Sequence, residues 1–293
     1  MTRRDELERR LAADPEDDGA GEGLIDHELR LSGVAALSRP LQTVAVWRDA
    51  APALQRALAR RLPGALGPRW IGLGLQRFTV SLPRVDPESS DDGLAIWQEE
   101  PVETRLIVLR HACGQVFHVL PGDGVIAPFL LAREPLRRSL VGSGEEGGGE
   151  PAVGWSRRDW QSWLDERALR FPTLAEWRHA AFAGEPSRPP WGDLFRADRI
   201  WHRGRSLRPA RGGRPSARRP RDVSEGADEA NAWGLVDMIG NVREWLDSGE
   251  VIGGDYETDP VDIARGGALQ PEAPVPELFP RVGLRPAASL PGL

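Results

Sequence analysis

The sequence predicts an α+β fold, a helical N-terminal extension followed by a loop-rich body with short strands and helices. Three observations carry that expectation. Leucine and alanine recur at three- and four-residue steps between Leu24 and Leu62, which is the helical period. β-Branched and aromatic residues crowd Trp70–Leu82 and Thr104–Leu120, which is strand composition. Beyond Gly184 the chain turns to Pro, Gly and isolated Trp with few periodic runs, the mark of a core built from long ordered loops.

Taken in order, residues 3–13 (RRDELERRLAA) mix Arg and Glu at helical spacing and stop at Asp14-Pro15. An acidic, Gly-rich linker through Gly23 is expected next, then amphipathic helices over Leu24–Leu37 and Ala50–Leu62, the second closed by Pro63-Gly64. The strands follow, with a turn at His111–Gly114, so a helical region 1–68 is expected to precede a second body, 69–293. The glycine density of Val141–Glu150 (VGSGEEGGGE) predicts a flexible loop, because ordering glycine costs entropy. A helix is expected to start at Ser156, whose hydroxyl can cap the Asp159 amide, with Trp160, Trp163 and Leu164 as its buried stripe. Another should start at Thr173, with Glu176 as reciprocal cap and Trp177, Ala180 and Ala181 facing inward. Arg203–Arg221 holds eight arginines and no acid, and is expected to form an exposed, mobile loop. Its charge suits a solvated insertion, a docking surface for an acidic partner, or a cleavage site for an arginine-specific protease.

Composition excludes much. With 293 residues, 40% of them apolar, and 11 Trp, the chain can bury a core in which indoles fill the large positions. All 38 basic residues are arginine, so Schiff-base chemistry, a phosphate-loop lysine and a lysine general base are ruled out. Cys113 is the only cysteine, so neither an intrachain disulfide nor a cysteine zinc site can form. A net charge of -6 argues against general nucleic-acid binding, which needs a basic face. The opening MTRRDELERR has charge without a following apolar segment, and Val125–Ala132 is short and interrupted by Pro128. Neither a signal peptide nor a membrane span is read from it, and a cytoplasmic location with no membrane partner is expected.

Four blocks stand in order towards the C-terminus: 151–181 (PAVGWSRRDWQSWLDERALRFPTLAEWRHAA), 190–193 (PWGD), 231–247 (NAWGLVDMIGNVREWLD), and 251–256 (VIGGDY) with 282–287 (VGLRPA). In the third, carboxylates at Asp237 and Glu244 flank a glycine turn that can aim main-chain carbonyls inward, giving the hard oxygen set calcium prefers. Equally, the two carboxylates can satisfy backbone amides while Met238, Val242 and Trp245 pack the core. Together the blocks resemble the formylglycine-generating-enzyme, or sulfatase-modifying-factor, family, strongly over 151–256 and weakly before 140. The resemblance implies a loop-rich C-type-lectin-like fold. It also implies a structural calcium held by the side chains of Asp237 and Glu244 and the carbonyls of Gly240 and Val242.

The same resemblance exposes a gap. Relatives that oxidise a cysteine in sulfatases use two cysteines shortly after the Gly-Gly strand, because a soft thiolate pair holds copper. Counted from Gly253-Gly254, the matching positions are Thr258 and about Ile263, and neither can do this. Another branch uses three histidines from a helical N-terminal domain to hold iron; here His27, His111, His118, His179 and His202 show no such ligand pattern. No copper, no iron and no catalytic residue are therefore expected. Cys113 reads as a small buried or idle thiol, with a lone copper thiolate as the alternative, and His179 as a helix residue facing solvent or a neighbouring loop. The eight Trp from Trp155 to Trp245 read as scaffold before an aromatic ligand cage. The expected function is a non-catalytic binding or scaffold protein with a protein partner, an accessory component of a bacterial signalling or defence system. The alternatives are an oxidoreductase with a relocated metal site and a protein regulated by cleavage in the Arg-rich loop.

Overall fold

The computed structural model describes residues 2–86, 96–142, 148–187, 189–208, 217–274 and 276–290. The fold is α+β. Helix α1 (Arg3–Ala13) opens on a reciprocal cap, in which the Thr2 hydroxyl accepts from the Asp5 amide and the Asp5 carboxylate from the Thr2 amide. Helix α2 (Asp18–Ser32) is capped by Asp17, whose carboxylate accepts the Ala20 amide, so the expected linker is confined to residues 14–17 and its Asp18–Gly23 part is helical instead. Its glycines serve close approach, not flexibility: a Cβ at Gly21 would stand 2.7 Å from the Ala53 carbonyl oxygen. The chain then tightens into a 3₁₀ segment, Gly33–Leu41, where the sequence suggested α-helix to Leu37. Helix α3 (Val44–Asp49) was not legible in the sequence, and α4 (Pro52–Leu66) continues through Pro63.

Strands β1 (Trp70–Asp86), β2 (Ile96–His111), β3 (Val116–Leu120) and β4 (Phe129–Ala132) follow, and the last strand, β10 (Ala287–Ser289), completes a sheet of order β1-β2-β3-β4-β10. Strands β2 and β3 pair antiparallel, with Ile107 opposite Val119 and Leu109 opposite Phe117. The expected turn between them closes with the Gly114 amide donating to the His111 carbonyl at 2.8 Å.

The chain divides into two compact units, Met1–Arg77 with Thr104–Leu131 and Ala288–Leu293, and Phe78–Glu103 with Ala132–Ala287. That division departs from a boundary at 68/69. In the first unit the helical part is hydrogen-bonded to the strand part, as the Trp47 indole donates to the Arg105 carbonyl of β2 at 2.6 Å and the Gly122 amide, just after β3, to the Leu41 carbonyl at 2.8 Å.

In the second unit, α5 (Arg157–Asp165) is capped by Ser156 and α6 (Leu174–Ala181) by Thr173 with Glu176, both as expected. Strand β5 (Leu207–Arg208) pairs with β6 (Ala217–Arg218). The arms of the Arg-rich segment are therefore tied, contrary to a wholly exposed loop: the Arg203 amide donates to the Thr258 carbonyl and the Ser206 hydroxyl to Tyr256. Residues 209–216 of that segment, and 143–147 of the glycine-rich one, lie outside the described residues. Strands β7 (Arg243–Trp245), β8 (Val251–Ile252) and β9 (Val282–Gly283) form a small sheet of order β8-β7-β9, with α7 (Pro260–Ala264) between β8 and β9 in the chain. No helix among the described residues is long and apolar enough to cross a membrane.

Candidate functional site

The turn that enters β7 carries three left-handed residues, Asp237, Gly240 and Asn241. Gly240 is required there, because a Cβ would lie 2.6 Å from the Trp201 carbonyl oxygen as well as facing a φ of 81°. Asn241 tolerates the conformation by bonding locally: its Nδ2 donates to Asp237 Oδ2 at 2.8 Å, and its Oδ1 accepts the Arg221 amide at 2.9 Å. The turn brings Asp237, Gly240, Val242 and Glu244 onto one short stretch of buried chain.

Glu244 is fully buried and meets the fully buried Arg285, whose Nη2 lies 2.7 Å and Nε 2.9 Å from Oε1. The Trp177 indole donates to Glu244 Oε2 at 2.7 Å. Arg285 uses its remaining donors on the carbonyls of Ala132 at 3.0 Å, Val236 at 2.7 Å and Asp237 at 3.2 Å. Burial pushes the Glu244 carboxyl up, while Arg285 and Trp177 pull it down. Asp237 is gripped by Arg221 through Nε at 3.1 Å and through Nη2. Burial works against the charge of Arg221, and Asp237 with Glu229 holds it above its usual value.

Two carboxylates are thus cancelled by two guanidiniums. Calcium at Asp237, Gly240, Val242 and Glu244 would add two positive charges beside Arg221 and Arg285 in a region with little water to screen them, so the residues present fit that ion poorly. Val242 itself is fully buried, with a methyl facing Gly283. Beside Asp237 is a cavity of about 50 Å³, walled partly by Trp191 and Ile239 and large enough for ordered water. The two arginines were missed in sequence, and the only signal was Arg285 standing alone among the apolar residues of 282–287.

At Thr258 and Ile263, the two positions the sequence resemblance sets against a cysteine pair, the side chains hold the protein's own loops and core. Thr258 Oγ1 accepts the Asp255 amide at 2.8 Å, and the Thr258 amide donates to the Asp255 carbonyl at 3.0 Å. Asp255 is fully buried between Arg243 and Arg281. Ile263, on α7, is fully buried. In the first unit, Cys113 Sγ stands 3.1 Å from His111 Nδ1 at the β2–β3 turn. Among the described residues no group of three or more His, Cys, Asp or Glu is placed to hold a metal ion. Of the two positions expected for His179, the structure takes the one against a neighbouring loop: the ring is buried and meets Trp233 edge-to-face at 5.0 Å. Trp160, Trp177, Trp233 and Trp245 are likewise core residues.

A family model, that of the sulfatase-modifying factor enzyme 1-like domain, matches residues 142–280. These residues are a sulfatase-modifying-factor domain. It lies wholly within the second unit and includes the turn at 237–244, Thr258 and Ile263. The domain is a divergent one. Over 107 residues the chain is 32% identical to the inactive C-alpha-formylglycine-generating enzyme 2 of Bos taurus, covering 33% of this chain and 33% of that protein. The chain therefore matches about a third of the length of that curated relative.

Proposed function

We propose that this chain is a non-catalytic binding or scaffold member of the sulfatase-modifying-factor family, working in the cytoplasm beside a protein partner as an accessory part of a bacterial signalling or defence system. The observation that carries the reading is the use made of Thr258 and Ile263. One closes a turn and the other fills the core, so the two positions where relatives hold copper are committed to structure here. A relative whose name marks it inactive supports the same direction. The frame itself is kept, since a lectin-like scaffold can present loops without performing a reaction.

The competing reading, a relocated oxidoreductase, draws on one specific contact, the Cys113 thiol beside His111. Copper(I) titration under reducing conditions separates the two. The non-catalytic reading expects no stoichiometric copper site. One equivalent of bound copper, lost in Cys113→Ser, would favour the oxidoreductase.

A further inference from the structure

The helical part of the first unit encloses a cavity of about 520 Å³, within the range of roughly 300–1,000 Å³ typical of small-ligand sites. Its floor is apolar: Leu24 and Ile25 from α2, Ala36 from the 3₁₀ segment and Leu54 from α4. Val46 of α3, 48% exposed, is a further apolar wall residue open to solvent. A site dug into four packed helices and lined this way is more than the stability of the helices requires, because filling it would bury more apolar surface.

Its charges are unevenly matched. Arg4 and Arg39 face three carboxylates, those of Glu8, Glu28 and Asp49, leaving one net negative charge on the wall. Arg4 Nε donates to Glu8 at 2.8 Å, and Arg39 Nη1 to Glu28 Oε2 at 2.6 Å. Glu28 is only 8% exposed, yet its Oε1 accepts no hydrogen bond; Arg4 Nη1 stands 3.3 Å away as an ion-pair neighbour. A buried carboxylate oxygen without a donor is costly, and a ligand N–H would complete it. Asp49, on the same wall, makes no ion pair or hydrogen bond among the described residues. An anion finds no cation here that is not already paired, whereas a cation finds the Asp49 carboxylate and the one Glu28 oxygen that accepts no hydrogen bond.

We propose that this cavity binds a small amphipathic cation, an alkyl chain bearing a primary ammonium, with the chain on Leu24, Ile25 and Leu54 and the ammonium drawn to Glu28 and Asp49. The proposal does not depend on the non-catalytic reading of the second unit. Calorimetry on the full chain with n-octylammonium, octanoate and 1-octanol as probes tests it. Saturable one-to-one binding is expected for the ammonium, at least about tenfold tighter than for either other probe. Asp49→Asn should narrow that preference, and Ala45→Trp, which fills the mouth from an exposed position, should abolish binding while leaving the far-ultraviolet circular dichroism unchanged. Glu28→Gln is the less decisive variant because Glu28 also holds Arg39. Equal binding of octanoate, indifference to Ala45→Trp, or no saturation below about 1 mM would overturn the proposal.

Discussion

Arg285 sets the chemistry at the centre of the domain. Every direction of its guanidinium is answered, by Glu244 on one side and by three main-chain carbonyls on the others. Removing it would strand Glu244 in the core, and an uncompensated buried charge costs about 3–5 kcal/mol. Arg285→Met is therefore expected to lower unfolding stability in urea by about that much, and the double variant Arg285→Met with Glu244→Gln to recover a large part of it. A double variant as unstable as the single one would deny the pairing. His202 provides a pH-dependent counterpart. Burial lowers its pKa from 6.5, Gly204 donates to its Nδ1, and Arg205 opposes and Asp259 favours its charge. The unfolded imidazole takes up a proton first as pH falls through 6.5, so His202 contributes stability above that value and loses it below. Melting curves near pH 7.5 and 5.5 should show a smaller acid loss in His202→Gln than in the parent. At this scale the sequence was least informative. Arginine is ordinarily a surface residue, and nothing local to Arg285 says that its partner is Glu244, 41 positions away.

Among elements, legibility followed range. The caps of α5 and α6 depend on side chains three residues apart, Ser156 with Asp159 and Thr173 with Glu176, and both were readable. Helix α2 is not legible at its start because its glycines serve close approach, Gly21 to Ala53 of α4 and Gly23 to Leu7 of α1, relations that local composition cannot express. The 237–244 turn lies between these cases. Its acidic ends and glycine were visible, but the cations that meet them come from Arg221 and Arg285, outside the turn. The arginine-held turn predicts a melting temperature that is the same within about 1 °C in 1 mM calcium and in excess chelator. A calcium site occupied at a hundred times its Kd would add about 2.7 kcal/mol and raise the midpoint by several degrees. Such a rise, lost in Asp237→Asn, would restore calcium to the turn.

For the molecule as a whole, the α+β class and the family blocks were legible because each block is contiguous and their order is fixed. The division into units was not, since each unit gathers separate stretches of chain, the first from its two ends and 104–131. The family domain lies within the second of these units, where Glu244 pairs with Arg285, Thr258 closes a turn on Asp255 and Ile263 fills the core; on the proposed reading these last two stand in place of a redox centre. Incubation of the purified chain with copper, dioxygen, a thiol reductant and a cysteine-bearing sulfatase peptide, followed by mass spectrometry, tests that account most directly. It predicts that the peptide's cysteine comes through unchanged at every time point, and turnover of that cysteine to the aldehyde, absent from a heat-denatured control, would contradict it.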